Sequence, residues 1–151
     1  MKLEYHRLAS KLALYLKPIA KYCATFIADL GSSPNSEKLV DYIVWSIRRT
    51  RLRAWRGTAC GALILLGRLK EQSQIVVGGS VWRSGRRVWI LAFMLAGKSL
   101  VDNCFDQQAW AEMAKTMMTR EMLDRLEREW CRTLDWRLVI TEAERSQFSR
   151  M

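Results

Sequence analysis

Histidine, proline and paired cysteines are nearly missing from this 151-residue chain. His6 is the only histidine, and it sits in a basic N-terminal stretch, which rules against a histidine-based acid–base pair or catalytic triad. Cys23, Cys60, Cys104 and Cys131 are far apart and form no CxxC pair. That spacing favours reduced, mostly buried thiols over a zinc site. No Walker loop, dinucleotide fingerprint or HExxH motif occurs, so no metal, cofactor or enzymatic activity is expected. The apolar run Val88 to Ala96 is well short of the ~20 residues that cross a bilayer. The N-terminus MKLEYHRLASK carries charges throughout and lacks the apolar centre of a secretory signal. These absences leave an intracellular protein of the nucleus or cytoplasm, without a membrane span, as the expectation.

Apolar residues and positive charge are abundant. Half the residues are hydrophobic, seven are tryptophan, and the formal net charge is +10. This is enough apolar material for a single core, and the charge favours an acidic partner, nucleic acid or anionic lipid, or simply resists self-association. Apolar positions recur at helical spacing nearly throughout, so the fold class is all-α. Leu8, Leu12, Leu16 and Ile19 open the pattern, and Pro18 predicts a kink or two short helices meeting near Lys17. Gly31 suits a helix end, and Ser33 or Ser36 can cap the next helix, over about 36–53. A helix beginning at Thr58 and another over about 87–100 are apolar on all sides and belong in the middle of a bundle. Between them, residues 71–86 read as a loop with an extended piece at Ile75–Val77. Asp106 and Thr119 are placed to cap two further helices, and Thr141 with Glu144 has capping-box spacing.

Two features invite a functional reading. Arg48, Arg49, Arg51, Arg53 and Arg56 crowd around Trp55, either as a nucleic-acid footprint or as a solvated helix end. Lys98 is the only charge between Val88 and Val101, and on pattern alone it extends its stem from the end of a core helix to water. The carboxylates Glu121, Asp124, Glu127 and Glu129 alternate with arginines, as on a solvated, ion-paired helix face.

The ordered set Ala96-Gly97-Lys98, Val101-Asp102-Asn103, Trp110-Ala111, Leu126-Glu127-Arg128-Glu129 and Leu134-Asp135-Trp136 resembles a cyclin box. It is most similar to the fungal cyclins of the phosphate-responsive cyclin-dependent kinase and to animal cyclin Y. The resemblance covers about residues 36–145 and implies a single five-helix box, preceded by a helical extension over 1–31. It further implies a regulatory subunit that forms a heterodimer with a cyclin-dependent protein kinase, activates it and contributes to substrate choice. Lys98 and Glu127 then fall on the positions that hold the segment around the kinase's movable helix C. Gly97 stands where the family has serine, Ser99 where it has an aromatic residue, and Val101 where an acidic residue is common. Acidic substrates are further candidates for the basic surface. The alternative function is a nucleic-acid-binding or adaptor protein on a cyclin-like fold without kinase activation, the nucleic-acid reading using Arg48–Arg56 and Arg83–Arg87.

Overall fold

The computed structural model describes residues 2–31, 36–50, 55–72, 84–100 and 106–148, with side chains from residue 14 onward. These residues form helices and turns, with no strand among them. In chain order the helices are α1 (Lys2–Asp29), α2 (Glu37–Thr50), α3 (Trp55–Gln72), α4 (Gly85–Leu100), α5 (Gln107–Ala114), α6 (Arg120–Thr133) and α7 (Glu142–Ser146). The all-α expectation holds. The proposed extended piece at Ile75–Val77 and the Ser33 cap lie outside the described residues.

α1 departs from its sequence reading, because it runs as one helix through Pro18 instead of dividing near Lys17. Leu16, Ile19, Ala20, Cys23, Ala24 and Ile27 form a continuous buried face across that point, whereas Leu14 and Pro18 are exposed. The carbonyl of Leu14, deprived of its helical donor, therefore lies on the solvent side, and packing on the other side carries the helix past the proline. Gly31 closes α1 at φ +89°, a left-handed conformation that costs glycine little. Ser36 then accepts a hydrogen bond from the amide of Leu39 (3.2 Å) and starts α2.

The two all-apolar helices sit in the middle, as their composition demands. α3 and α4 share the most extensive helix contact, and α4 buries every residue from Val88 to Gly97. Gly61 permits their close approach. A Cβ there would stand 2.9 Å from Cδ1 of Leu100 and of Ile140, and 3.2 Å from Cβ of Ala96. α3 begins at Trp55, earlier than the expected Thr58, because Trp55 packs edge-on against Tyr15 of α1 with ring centroids 6.2 Å apart. α4 also begins earlier than expected, at Gly85, with Ser84 accepting from the Arg87 amide (3.4 Å). In the core, Trp89 stacks on Phe93 at 5.0 Å and donates its indole N–H to Ser46 Oγ of α2 (2.8 Å). Phe93 in turn meets Trp110 of α5 edge-on at 6.0 Å. Such aromatic contacts contribute about 0.5–1.5 kcal/mol each beyond the area they bury.

Asp106 and Thr119 cap α5 and α6 as expected, accepting from Ala109 N and Met122 N. Thr141 and Glu144 complete the capping box of α7. This last turn also closes the chain upon itself. Arg68 of α3 donates to Glu144 Oε2 (2.5 Å) and to the carbonyl of Arg137 (3.0 Å), and Phe148 meets Tyr22 and Phe26 of α1 edge-on. The hydrogen bond from Arg68, aided by those from Thr141, holds the Glu144 carboxyl below its usual pKa of 4.5. A depressed carboxyl stabilises the fold above its unfolded pKa, and that contribution is lost as pH falls through the folded value. Acidification from pH 6 to pH 3 is therefore expected to raise hydrogen exchange of the α7 amides before the core opens. Arg68→Ala should remove most of that pH dependence, and an unchanged profile in this variant would show that Arg68 is not its origin.

Candidate partner-binding site

Lys98 lies in the last turn of α4, where a cation complements the helix dipole. Its side chain is 33% exposed, so the stem leaves the core and the ammonium emerges between α5 and α6. α6 turns Leu123, Leu126, Trp130 and Cys131 inward, which sets Glu127 at the edge of its buried face. The two meet: Lys98 Nζ donates to Glu127 Oε2 at 2.6 Å, and the glutamate side chain is 21% exposed. Lys98 also donates to Gln107 Oε1 at the start of α5. Gln107 Nε2 donates to Asp124 Oδ1 of α6 (2.7 Å), and Arg120 lies 3.6 Å from the same oxygen.

Arg120 with Asp124 and Arg125 with Glu129 make the within-helix pairs that the alternating charges predict. Glu127 departs from that pattern, since its pairing with Lys98 crosses to α4.

Beside the pair is an open groove of about 250 Å³. Leu95, Cys131, Leu138 and Trp136 supply its apolar lining, and Lys98, Glu127 and Arg128 its charged groups. Burial, and then the Glu127 carboxylate, push the Cys131 thiol pKa up, while Lys98 acts in the opposite sense. This thiol is poorly suited to nucleophilic chemistry.

Trp136 belongs to an unusual turn. Asp135 (φ +53°) and Trp136 (φ +58°) are both left-handed, which costs roughly 1–2 kcal/mol per residue. The amide of Trp136 reaches back to the carbonyl of Cys131 (2.8 Å) and that of Asp135 to Arg132 (2.9 Å), ending α6. The turn leaves Trp136 63% exposed. Sequence reading found the Leu-Asp-Trp run without its conformation, and it missed Gln107 altogether. The available signal for Gln107 was the Asp106 cap, which fixes the following residue as the first of α5.

Of the arginine cluster, Arg48, Arg49 and Arg56 fall among the described residues. Arg48 and Arg49 are exposed in the last turn of α2, while Arg51, Arg53 and Arg83 lie outside the described residues. Arg56 donates to the Tyr15 hydroxyl (2.7 Å), with its guanidinium carbon 5.7 Å from the Tyr15 ring and 5.8 Å from the Trp55 ring. Trp55 and Arg56 thus serve the contact of α3 with α1. Burial pushes the Cys23 thiol up to about 12, and among the described residues no group of three or more His, Cys, Asp or Glu could hold a metal ion. No described helix is long and apolar enough to cross a membrane.

Comparison with known proteins gives no match to this chain among family models, curated proteins or solved structures.

Proposed function

We propose that this chain is a cyclin-like regulatory subunit that binds and activates a cyclin-dependent protein kinase. The observation that carries the reading is the meeting of Lys98 and Glu127 at 2.6 Å beside an open apolar groove. The cyclin-box resemblance selects these two residues, twenty-nine positions apart, without reference to their distance.

Their chemistry suits a peptide backbone. An ammonium has three donors, and Glu127 and Gln107 take two of them. The third can meet a partner carbonyl, and the remaining oxygen of Glu127 can accept from a partner amide. Such charge-assisted bonds are stronger than neutral ones. An apolar side chain from the same segment would fill the groove between Leu95, Cys131 and Leu138. Kinase activity requires helix C to swing inward so that its glutamate pairs with the ATP-site lysine. A subunit that binds the inward arrangement more tightly shifts the kinase toward it. Arg48 and Arg49 are exposed and available to acidic substrates.

The test is a pull-down from cell extract with the full chain as bait. A cyclin-dependent kinase, recovered in stoichiometric amount and active only in the complex, is the expected result. Recovery of nucleic acid in its place, lost steeply as salt rises, would transfer the reading to an adaptor on the same fold. Trp55, the aromatic residue within the arginine cluster, meets Tyr15 edge-on, which leaves less of it open to stacking on bases.

A further inference from the structure

Lys98 is attached by a long flexible stem, yet a residue that docks on a partner's backbone needs a fixed ammonium. Glu127 alone would hold it by one point. The second point is Gln107, and its orientation is determined at both ends. Its carbonyl can only face the ammonium, because an ammonium donates, and its amide can only face the Asp124 carboxylate, which accepts. Asp124 is steadied in turn by Arg120, whose Nη1 donates to Gln108 Oε1 of α5 (2.7 Å). A chain of hydrogen bonds thus runs from α4 through the first residue of α5 into α6. The ammonium is thereby held at two points, Glu127 on α6 and Gln107 on α5.

We propose that Gln107 is a positioning residue that fixes where Lys98 presents its third donor to the partner. The role rests on the kinase-binding reading of the Lys98–Glu127 pair. Gln107 is not itself required to touch the kinase. It sets the direction of the group that does.

The experiment has two arms, both on the full chain. Relaxation of the Lys98 side-chain ¹⁵Nζ is measured first, without partner. Affinity for a purified cyclin-dependent kinase of the phosphate-responsive type is measured second. Gln107→Ala is expected to make the Lys98 ammonium mobile and to weaken kinase binding about tenfold, the scale of one hydrogen bond to a charged group. Its melting temperature should barely move, since the network lies at the surface. Gln107→Glu alone sets a carboxylate against Asp124 and is expected to weaken binding. Adding Asp124→Asn rebuilds the chain with the second bond reversed, and is expected to restore both readouts.

Unchanged Lys98 relaxation in Gln107→Ala would overturn the proposal. So would unchanged affinity in this variant when the wild-type chain binds. Failure of the wild-type chain to bind the kinase would overturn the functional reading, and Lys98 relaxation would then decide the role of Gln107 by itself.

Discussion

Exchanging the two charges, as Lys98→Glu with Glu127→Lys, is expected to weaken kinase binding at least a hundredfold while lowering the melting temperature by only a few degrees. The argument turns on the pair's internal contact of 2.6 Å. The exchange keeps one cation beside one anion, so the link between α4 and α6 re-forms with its polarity reversed. Two costs remain. A carboxylate in the last turn of α4 opposes the helix dipole by about 0.3–1 kcal/mol. Gln107 must also turn its amide outward toward the new carboxylate, which disturbs its bond to Asp124. Toward a partner the reversal is far more damaging. A partner carbonyl would face a carboxylate and a partner amide an ammonium, and such mismatches cost about 2–5 kcal/mol. Each single reversal should destabilise the chain more than the exchange does, because it leaves like charges in contact. Co-purification and thermal denaturation measure the two effects separately. Wild-type affinity in the exchanged protein would sink the assignment of this surface.

Trp89→Ala is expected to produce the largest loss of stability. Trp89 is fully buried, stacks on Phe93 and donates to Ser46. Truncations of this kind cost about 3–5 kcal/mol through lost burial and the cavity left behind. For a chain of this size that is a fall of roughly 10 °C in melting temperature. Trp89→Phe should lose much less. It keeps most of the ring volume, and the Ser46 hydroxyl retains its own bond to the carbonyl of Ile43 (2.8 Å). The difference between the two variants separates packing from the indole hydrogen bond. A melting temperature for Trp89→Ala within 2 °C of wild type would show that α4 is not the centre of the core.

What the sequence disclosed follows the range of the interactions involved. Capping at Asp106, Thr119 and Thr141 depends on residues three positions apart and was readable directly, whereas Ser36 stood beside Ser33 as an alternative. The central place of α3 and α4 followed from their lack of a polar face. Pro18 misled because its local penalty is outweighed by a buried face extending from Leu16 to Ile27, a tertiary effect. The start of α3 was missed because Trp55 finds its partner, Tyr15, forty residues earlier. At the candidate site, Lys98 stood out by being a charge in an apolar run. Glu127 was nominated only by resemblance, since as part of an alternating charged helix it looks like its neighbours. For Gln107 the Asp106 cap signalled only its place at the start of α5, and not its contacts with Lys98 and Asp124 on two other helices. The left-handed pair at Asp135 and Trp136 is equally hidden, because tryptophan has no preference for that conformation.

The closure of the chain by Arg68, Glu144 and Phe148 has a consequence for how the protein can change. That closure joins α3 and α1 to the tail, whereas Lys98, Gln107 and Glu127 join α4, α5 and α6. Among the described residues, the two polar networks have none in common. Substitutions at Lys98, Gln107 or Glu127 can therefore accumulate without removing a bond of the closure. A scaffold divided in this way can vary one surface while its fastening stays the same.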